Sequence, residues 1–225
     1  MKIAFLGNSL TWGGYGGSFV AELQKRLPQH EIINAGEGGS TVINLLRRLD
    51  AVLDNEPDGI FVMTGGNDAI SNIYPDTRPY YKKAQSIPDG MVTPEQFAQT
   101  YRDLLTQIQM RHTLAWVGLP PVEYSRELVE ELGRYNALAQ EAAQALNIPV
   151  LDLMRAFVPD EIPERPPLTL KEINLIGEHI QSGWSDYEAA QQAGGYTFTF
   201  DGLHPMPESA IKMADLIIDF LKLAD

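Results

Sequence analysis

The sequence predicts an α/β fold, in which short apolar strands alternate with amphipathic helices around a mostly parallel sheet. Two observations carry this prediction. Short apolar runs recur along the chain, and segments with apolar residues at helical spacing separate them. The chain has 225 residues and 44% hydrophobic content, enough for the core of one moderately large domain. We therefore expect a single domain over residues 1–225.

The first strand begins within two residues of the amino terminus, with Lys2-Ile3-Ala4-Phe5-Leu6. Four later segments have the same apolar character and are separated by stretches long enough for crossover helices. The predicted strands are residues 2–6, 31–35, 59–64, 113–119 and 148–152.

Five helices are predicted from apolar spacing and from start signals. The clearest start is Thr93-Pro94-Glu95-Gln96, where a capping threonine precedes a proline and a glutamine that can close a capping box. In the last helix, Ile211, Ala214, Leu216, Ile217, Phe220 and Leu221 are the expected buried side. The predicted helices are residues 18–27, 42–53, 93–108, 125–146 and 207–223.

Two stretches exceed what a five-strand sheet needs. Residues 71–93 contain several prolines and are predicted to be a long surface loop. Residues 153–200 form a larger excursion, with helical spacing from Leu170 to Ile180 and a capping-box start at Ser185. Because long insertions in compact domains are often functional, we interpret both as walls or a lid over a site. Plain surface decoration is the alternative.

Composition excludes several classes of function. There is no cysteine, hence no disulfide, thiolate nucleophile or Cys-ligated zinc. A formal net charge of −13 disfavours nucleic acid and anionic membranes as partners. No apolar run reaches membrane-spanning length, and no secretory signal is visible at the amino terminus. We expect a cytoplasmic location, although a removed leader would leave the same trace.

The most informative motif is Asp201-Gly202-Leu203-His204-Pro205. An Asp three residues before a His can orient an imidazole as a general base and stabilise its charged form. A serine hydroxyl needs such a base, and Ser9 comes at the carboxyl end of the first predicted strand, where ligands bind in open α/β sheets. Taken singly, Ser9 is typical of a helix cap, Asp201-Gly202 of a turn, and His204 of a surface histidine.

Two further motifs come at predicted strand ends: Gly36-Glu37-Gly38-Gly39 and Gly65-Gly66-Asn67-Asp68. Each is also compatible with an ordinary turn. Carboxyl ends of parallel strands share one edge of the sheet, so we expect these motifs to converge with Ser9 on one rim. Trp12 and Tyr15 are expected to border the serine and to contact substrate, although either is compatible with core packing.

The order and spacing of these four motifs resemble the SGNH (GDSL-like) hydrolase family over nearly the whole chain. The resemblance implies a three-layer α/β/α flavodoxin-like fold with strand order 2-1-3-4-5. It places the nucleophile on Ser9, and the other two triad members on Asp201 and His204. The implied oxyanion-hole donors are the amides of Ser9 and Gly39 and the side chain of Asn67. Asn8 stands where the family has Asp, and we expect its acceptor to bond local loop amides.

The resemblance implies a serine esterase acting on a small-molecule ester without a cofactor. Acetylated carbohydrates, short acyl esters, thioesters and lysophospholipids all suit the same motifs. The alternatives are a carbohydrate-binding module without activity and an acyltransferase with the same triad. No oligomeric state is implied.

Other site predictions come from the residues themselves. Trp184 and Tyr187 are predicted to contact substrate from the excursion, whose aromatic content is typical of a pocket wall. The remaining histidines, His30, His112 and His179, lack metal-ligand spacing, so no metal site is expected. The glycines of Gly13-Gly14-Tyr15-Gly16-Gly17 lack the Lys-Ser/Thr of a phosphate loop and indicate a flexible entry to the next helix.

Overall fold

A five-stranded parallel sheet forms the centre of the protein, as seen in a computed structural model that describes residues 1–159 and 161–223. Its order is β2-β1-β3-β4-β5, which confirms the predicted topology. Residue 160 of the predicted excursion and residues 224–225 of the predicted domain lie outside the described residues. The strands are β1 Lys2–Gly7, β2 Glu31–Gly36, β3 Gly59–Met63, β4 Leu114–Leu119 and β5 Val150–Asp152.

Helices cover both faces of the sheet, because successive side chains of the central strands point to opposite sides. In β1, Ala4 and Leu6 enter one core, whereas Ile3 and Phe5 enter the other. The twelve helices of the described chain are α1 Ser9–Trp12, α2 Phe19–Arg26, α3 Val42–Arg47, α4 Leu49–Leu53, α5 Gly66–Ile73, α6 Arg78–Lys83, α7 Pro94–Met110, α8 Arg126–Ala145, α9 Leu153–Ala156, α10 Leu170–Ser182, α11 Tyr187–Gly194 and α12 Pro207–Leu221.

The two faces have unequal cores. Helices α3, α4, α5, α7 and α8 pack on the larger one, and α2, α9 and α12 pack on the smaller one. This gives the three layers that the sequence predicts. No helix within residues 1–159 and 161–223 is both long and apolar enough to cross a membrane.

Three helix predictions were wrong in detail. The helix expected over 42–53 breaks at Arg48, whose backbone leaves helical geometry between α3 and α4. Ile211 is 45% exposed rather than buried, because α12 turns Ala210, Met213 and Ala214 to the core instead. The start expected at Ser185 falls one residue later, with Asp186 as the N-cap of α11.

The predicted surface loop at residues 71–93 was also wrong. The segment continues α5 to Ile73, adds a short 3₁₀ turn at Pro75–Thr77, and forms α6. Tyr81 and Ile87 are buried in the larger core. Prolines in a first helical turn are compatible with a helix, so Pro75 and Pro79 open these turns instead of preventing them.

The strand register sets the position of the site. Gly7 at the end of β1 is paired with Gly36 of β2 on one side and with Met63 of β3 on the other. The segments that follow these three residues therefore leave the sheet side by side. They carry Ser9, Gly39 and Asn67, which confirms that the motifs converge on one rim.

Candidate active site

Ser9, His204 and Asp201 form a continuous hydrogen-bonded chain. Ser9 Oγ lies 3.0 Å from His204 Nε2, and Asp201 Oδ2 lies 2.8 Å from His204 Nδ1. The imidazole is 5% exposed, so it is largely shielded from bulk water. Each ring nitrogen thus faces the partner that a serine nucleophile and its general base require.

The side chain of Asp201 also stabilises the loop that follows it. Its Oδ1 accepts hydrogen bonds from the backbone N–H groups of Leu203, at 2.9 Å, and His204, at 2.7 Å. Burial raises the pKa of this carboxyl, but the charge of His204 and the N–H donors of His204 and Leu203 outweigh burial and leave the pKa below its ordinary value. Asp201 therefore stays ionised and holds the ring in one orientation.

Tyr15 closes the site over the histidine. Its ring meets that of His204 edge to face, with centroids 5.1 Å apart, and its hydroxyl lies 2.8 Å from Nδ1 of His179 on α10. Burial and the negative charge of Asp201 raise the pKa of Tyr15, so its phenol keeps its proton. The nucleophile loop and the excursion are tied together at this point.

The three predicted oxyanion donors line the same cavity as His204. Gly39 has a φ of +77°, and a side chain there would collide with the hydroxyl of Tyr80. The positive φ favours glycine at this position, and the absence of a side chain leaves its amide accessible to a close approach. Asn8, which departs from the family pattern, is buried and accepts from the amide of Leu10 at 3.1 Å, as expected.

The orientation of the Asn67 amide depends on Tyr81, which the sequence did not single out. Tyr81 donates its hydroxyl hydrogen to Asn67 Oδ1 at 2.9 Å, and Asn67 Nδ2 donates to the carbonyl of Ser40 at 3.1 Å. Burial raises the pKa of Tyr81 well above its ordinary value, so the phenol remains a donor. The amide nitrogen of Asn67 is thus held on the side of the Gly39 loop.

Asp68 and Arg48 form hydrogen bonds to the backbone near the strand ends that carry the site. Asp68 is fully buried and accepts from the amide of Val42 at 3.0 Å. Burial raises its pKa to about 7, although hydrogen bonds from its neighbours oppose the shift. Arg48 donates to the carbonyls of Gly7, at 2.5 Å, and Ala35. One guanidinium thereby joins the ends of β1 and β2.

A cavity of about 280 Å³ opens at Ser9. Residues of α5, α8 and the β4–α8 loop line part of this cavity. Residues of α10, which belongs to the excursion, line another part. Trp12, 37% exposed, and Tyr80 lie at this cavity. The aliphatic lining residues are Leu10, Ile70, Pro120, Pro121, Val122, Leu128, Leu132, Ile173, Ile176, Ile180 and Leu203.

The predicted substrate contacts divide into two groups. Trp12 and Tyr15 line the cavity at Ser9, whereas Trp184 and Tyr187 are absent from its described lining. Trp184 stacks on His179, and Tyr187 packs on Phe200, because both fill the space behind Tyr15. Contact of these two residues with substrate stays a prediction. Among residues 1–159 and 161–223, no cluster of three or more His, Asp or Glu side chains is arranged to hold a metal ion.

Several solved structures share the fold of this chain. The acetyl xylan esterase AlAXEase is 19% identical, with 97% of this chain and 98% of that chain covered and a TM-score of 0.66. A lipase/acylhydrolase from Enterococcus faecalis is 20% identical, with 98% and 95% covered and a TM-score of 0.64. A variant of the acetyl xylan esterase Axe2 from Geobacillus stearothermophilus is 18% identical, with 100% and 95% covered and a TM-score of 0.66.

The family follows from the sequence itself. The model of the GDSL-like Lipase/Acylhydrolase family matches residues 5–208. The chain belongs to this family and is a hydrolase acting on ester bonds. No curated protein sequence matches the chain significantly.

Proposed function

We propose that the protein is a serine esterase in which Ser9 is the nucleophile, His204 the general base and Asp201 the residue that orients the base. The observation that carries this proposal is the position of His204 between Ser9 Oγ and Asp201 Oδ2, at 3.0 and 2.8 Å. A non-catalytic carbohydrate-binding module has no need of this arrangement, and the family assignment argues against it.

In the proposed reaction, Nε2 of His204 takes the Ser9 proton as Oγ attacks the ester carbonyl carbon. The carbonyl oxygen becomes an oxyanion, which the amides of Ser9 and Gly39 and the side chain of Asn67 stabilise. His204 then protonates the leaving alcohol as the carbon–oxygen bond breaks, giving an acyl-Ser9 intermediate. Water, deprotonated by His204, hydrolyses this intermediate and restores the serine.

The cavity supports a substrate with an apolar acyl chain longer than acetyl. Its volume of about 280 Å³ exceeds what one methyl group fills, and isoleucine, leucine, proline and valine dominate its wall. Burying one further methylene is worth about 0.8 kcal/mol, or roughly fourfold in kcat/KM. We therefore expect kcat/KM to rise with chain length until the cavity is full.

The test is a series of p-nitrophenyl esters from acetate to dodecanoate, with the Ser9→Ala protein as the blank. We expect kcat/KM to increase from acetate through butyrate to a maximum at hexanoate or octanoate. A maximum at acetate would contradict the acyl-chain assignment while leaving the serine mechanism intact. Equal activity of the Ser9→Ala protein would contradict the mechanism itself.

An acetylated carbohydrate is the second candidate, because Trp12 presents a partly exposed aromatic ring beside Ser9, a surface on which a sugar can stack. Acetylated xylooligosaccharides belong in the same assay, and preference for them over the acyl esters would favour this class. Adding glycerol or a sugar acceptor, and measuring ester product against free acid, separates acyl transfer from hydrolysis.

A further inference from the structure

Glu123 is a buried carboxylate outside the proposed triad. It lies in the β4–α8 loop, four residues after the end of β4, and is 0% exposed. No ion pair found within residues 1–159 and 161–223 includes Glu123. A buried carboxylate is costly unless hydrogen-bond donors surround it, so the identity of its donors indicates its role.

The donors of Glu123 all come from one short segment. Its Oε1 accepts from the amides of Phe198, at 2.8 Å, and Thr199, at 2.6 Å, and from the Thr199 hydroxyl at 2.7 Å. Its Oε2 accepts from the amide of Thr197 at 2.9 Å. Three consecutive backbone amides thus point at one carboxylate, and Asp201 comes two residues after the last of them.

The same contact continues to the residue after Asp201. The amide of Glu123 donates to the carbonyl of Gly202 at 3.1 Å, and the amide of Gly202 donates to Thr199 Oγ1 at 3.0 Å. Gly202 has a φ of +85°, and a side chain on it would lie 2.6 Å from Cα of Tyr124. The residues before Asp201 are therefore bound to the side chain of Glu123, and the residue after it is bound to the Glu123 backbone and packed against Tyr124.

The other side of the β4–α8 loop faces substrate, since Pro120, Pro121 and Val122 line the cavity at Ser9. We propose that Glu123 is a positioning residue that aligns Asp201 and His204 with Ser9 and fixes them relative to the acyl cavity. This inference rests on the proposed serine mechanism. Glu123 acts through the backbone of residues 197–202 and takes no part in proton transfer.

The test compares Glu123→Gln with Glu131→Gln. In Glu123→Gln an amide N–H₂ replaces one acceptor oxygen and faces a backbone N–H. Glu131 is also a buried glutamate, but it accepts from Asn72, at 2.8 Å, and Arg134, at 3.0 Å, away from the 197–202 segment. Well below the Tm of each variant, we expect Glu123→Gln to lower kcat about 10²-fold with KM little changed. Glu131→Gln should lower only the Tm.

A double-mutant comparison with Asp201→Ala distinguishes a positioning residue from a purely structural anchor. If Glu123 acts through Asp201, the loss caused by Glu123→Gln should largely vanish when Asp201 is already alanine. An undiminished loss in the Asp201→Ala background, or an unchanged kcat in the single variant, would overturn the proposal. Near-wild-type activity of Ser9→Ala would instead overturn the underlying serine mechanism, so the two failures are distinguishable.

Should Glu123→Gln fail to fold, Thr199 decides the question. Thr199→Val removes the hydroxyl that joins Glu123 to Gly202 and keeps the side-chain shape, whereas Thr199→Ser keeps the hydroxyl. We expect kcat to fall at least about tenfold in Thr199→Val and to be retained in Thr199→Ser. Equal kcat in the two folded variants would overturn the proposal.

Discussion

Hydrogen bonds to neighbouring groups fix the orientation of single side chains in this site. Asp201 fixes Nδ1 of His204 and leaves Nε2 to Ser9. Tyr81 fixes Oδ1 of Asn67, and the amide nitrogen gives one N–H to the carbonyl of Ser40 and keeps a second N–H. This division predicts which substitutions affect the transition state rather than substrate binding.

Asn67→Ala should lower kcat about 10²- to 10³-fold and change KM far less, because the oxyanion exists only in the transition state. Tyr81→Phe should cause a smaller loss in kcat, since it removes the group that orients the Asn67 amide but not the donor. Steady-state kinetics on one ester measures both. A raised KM with unchanged kcat in Asn67→Ala would make Asn67 a binding residue.

At the scale of elements, α10 is the part of the excursion that lines the cavity at Ser9. Every residue of α10 is at least partly exposed, yet Ile173, Ile176 and Ile180 line the cavity at Ser9. The apolar side of α10 therefore covers the cavity and is not packed in the core. We propose that it is a wall of the acyl site and that residues 153–200 act as the lid-like segment predicted from the sequence.

Ile173→Ala should lower kcat/KM for octanoate several-fold more than for acetate, because the long chain loses apolar contact while the acetyl group does not reach it. Ile211→Ala is the matched control, since Ile211 is an exposed isoleucine on α12 in the other helical layer. The ester series measures both variants. An unchanged ratio of octanoate to acetate in Ile173→Ala would show that α10 does not contact the acyl chain.

The sequence predicted the strands well because burial imposes continuous apolar runs, as in Ile60 to Met63. It predicted the motifs of Ser9, Gly39 and Asn67 because each comes shortly after a strand, and the Asp201–His204 motif from the spacing of its Asp and His. It missed α6 because prolines interrupt the local pattern, and long-range packing of Tyr81 decides the fold there. It missed Arg48 and Glu123 because their partners lie 13 and 41 residues away for Arg48, and 74 to 76 residues away for Glu123, which no local pattern records.

At the scale of the whole molecule, the sheet brings the two ends of the chain together. Ser9 and His204 are separated by 195 positions, yet they form a hydrogen bond. β1 is an inner strand of the sheet. The Asp201–His204 loop, which immediately precedes α12, lies at the carboxyl end of β1. The β4–α8 loop, through Glu123, supports that loop from a third part of the chain. The proposed reaction therefore depends on the complete fold.

The central claim is that Ser9 and His204 act as one catalytic unit, and a double-mutant cycle tests it most directly. Groups that act in the same step are strongly non-additive. We predict that Ser9→Ala, His204→Ala and the double variant retain nearly equal residual kcat/KM on one p-nitrophenyl ester, each far below wild type. A double variant whose activity falls by the product of the two single losses would contradict the claim, because each residue would then act independently.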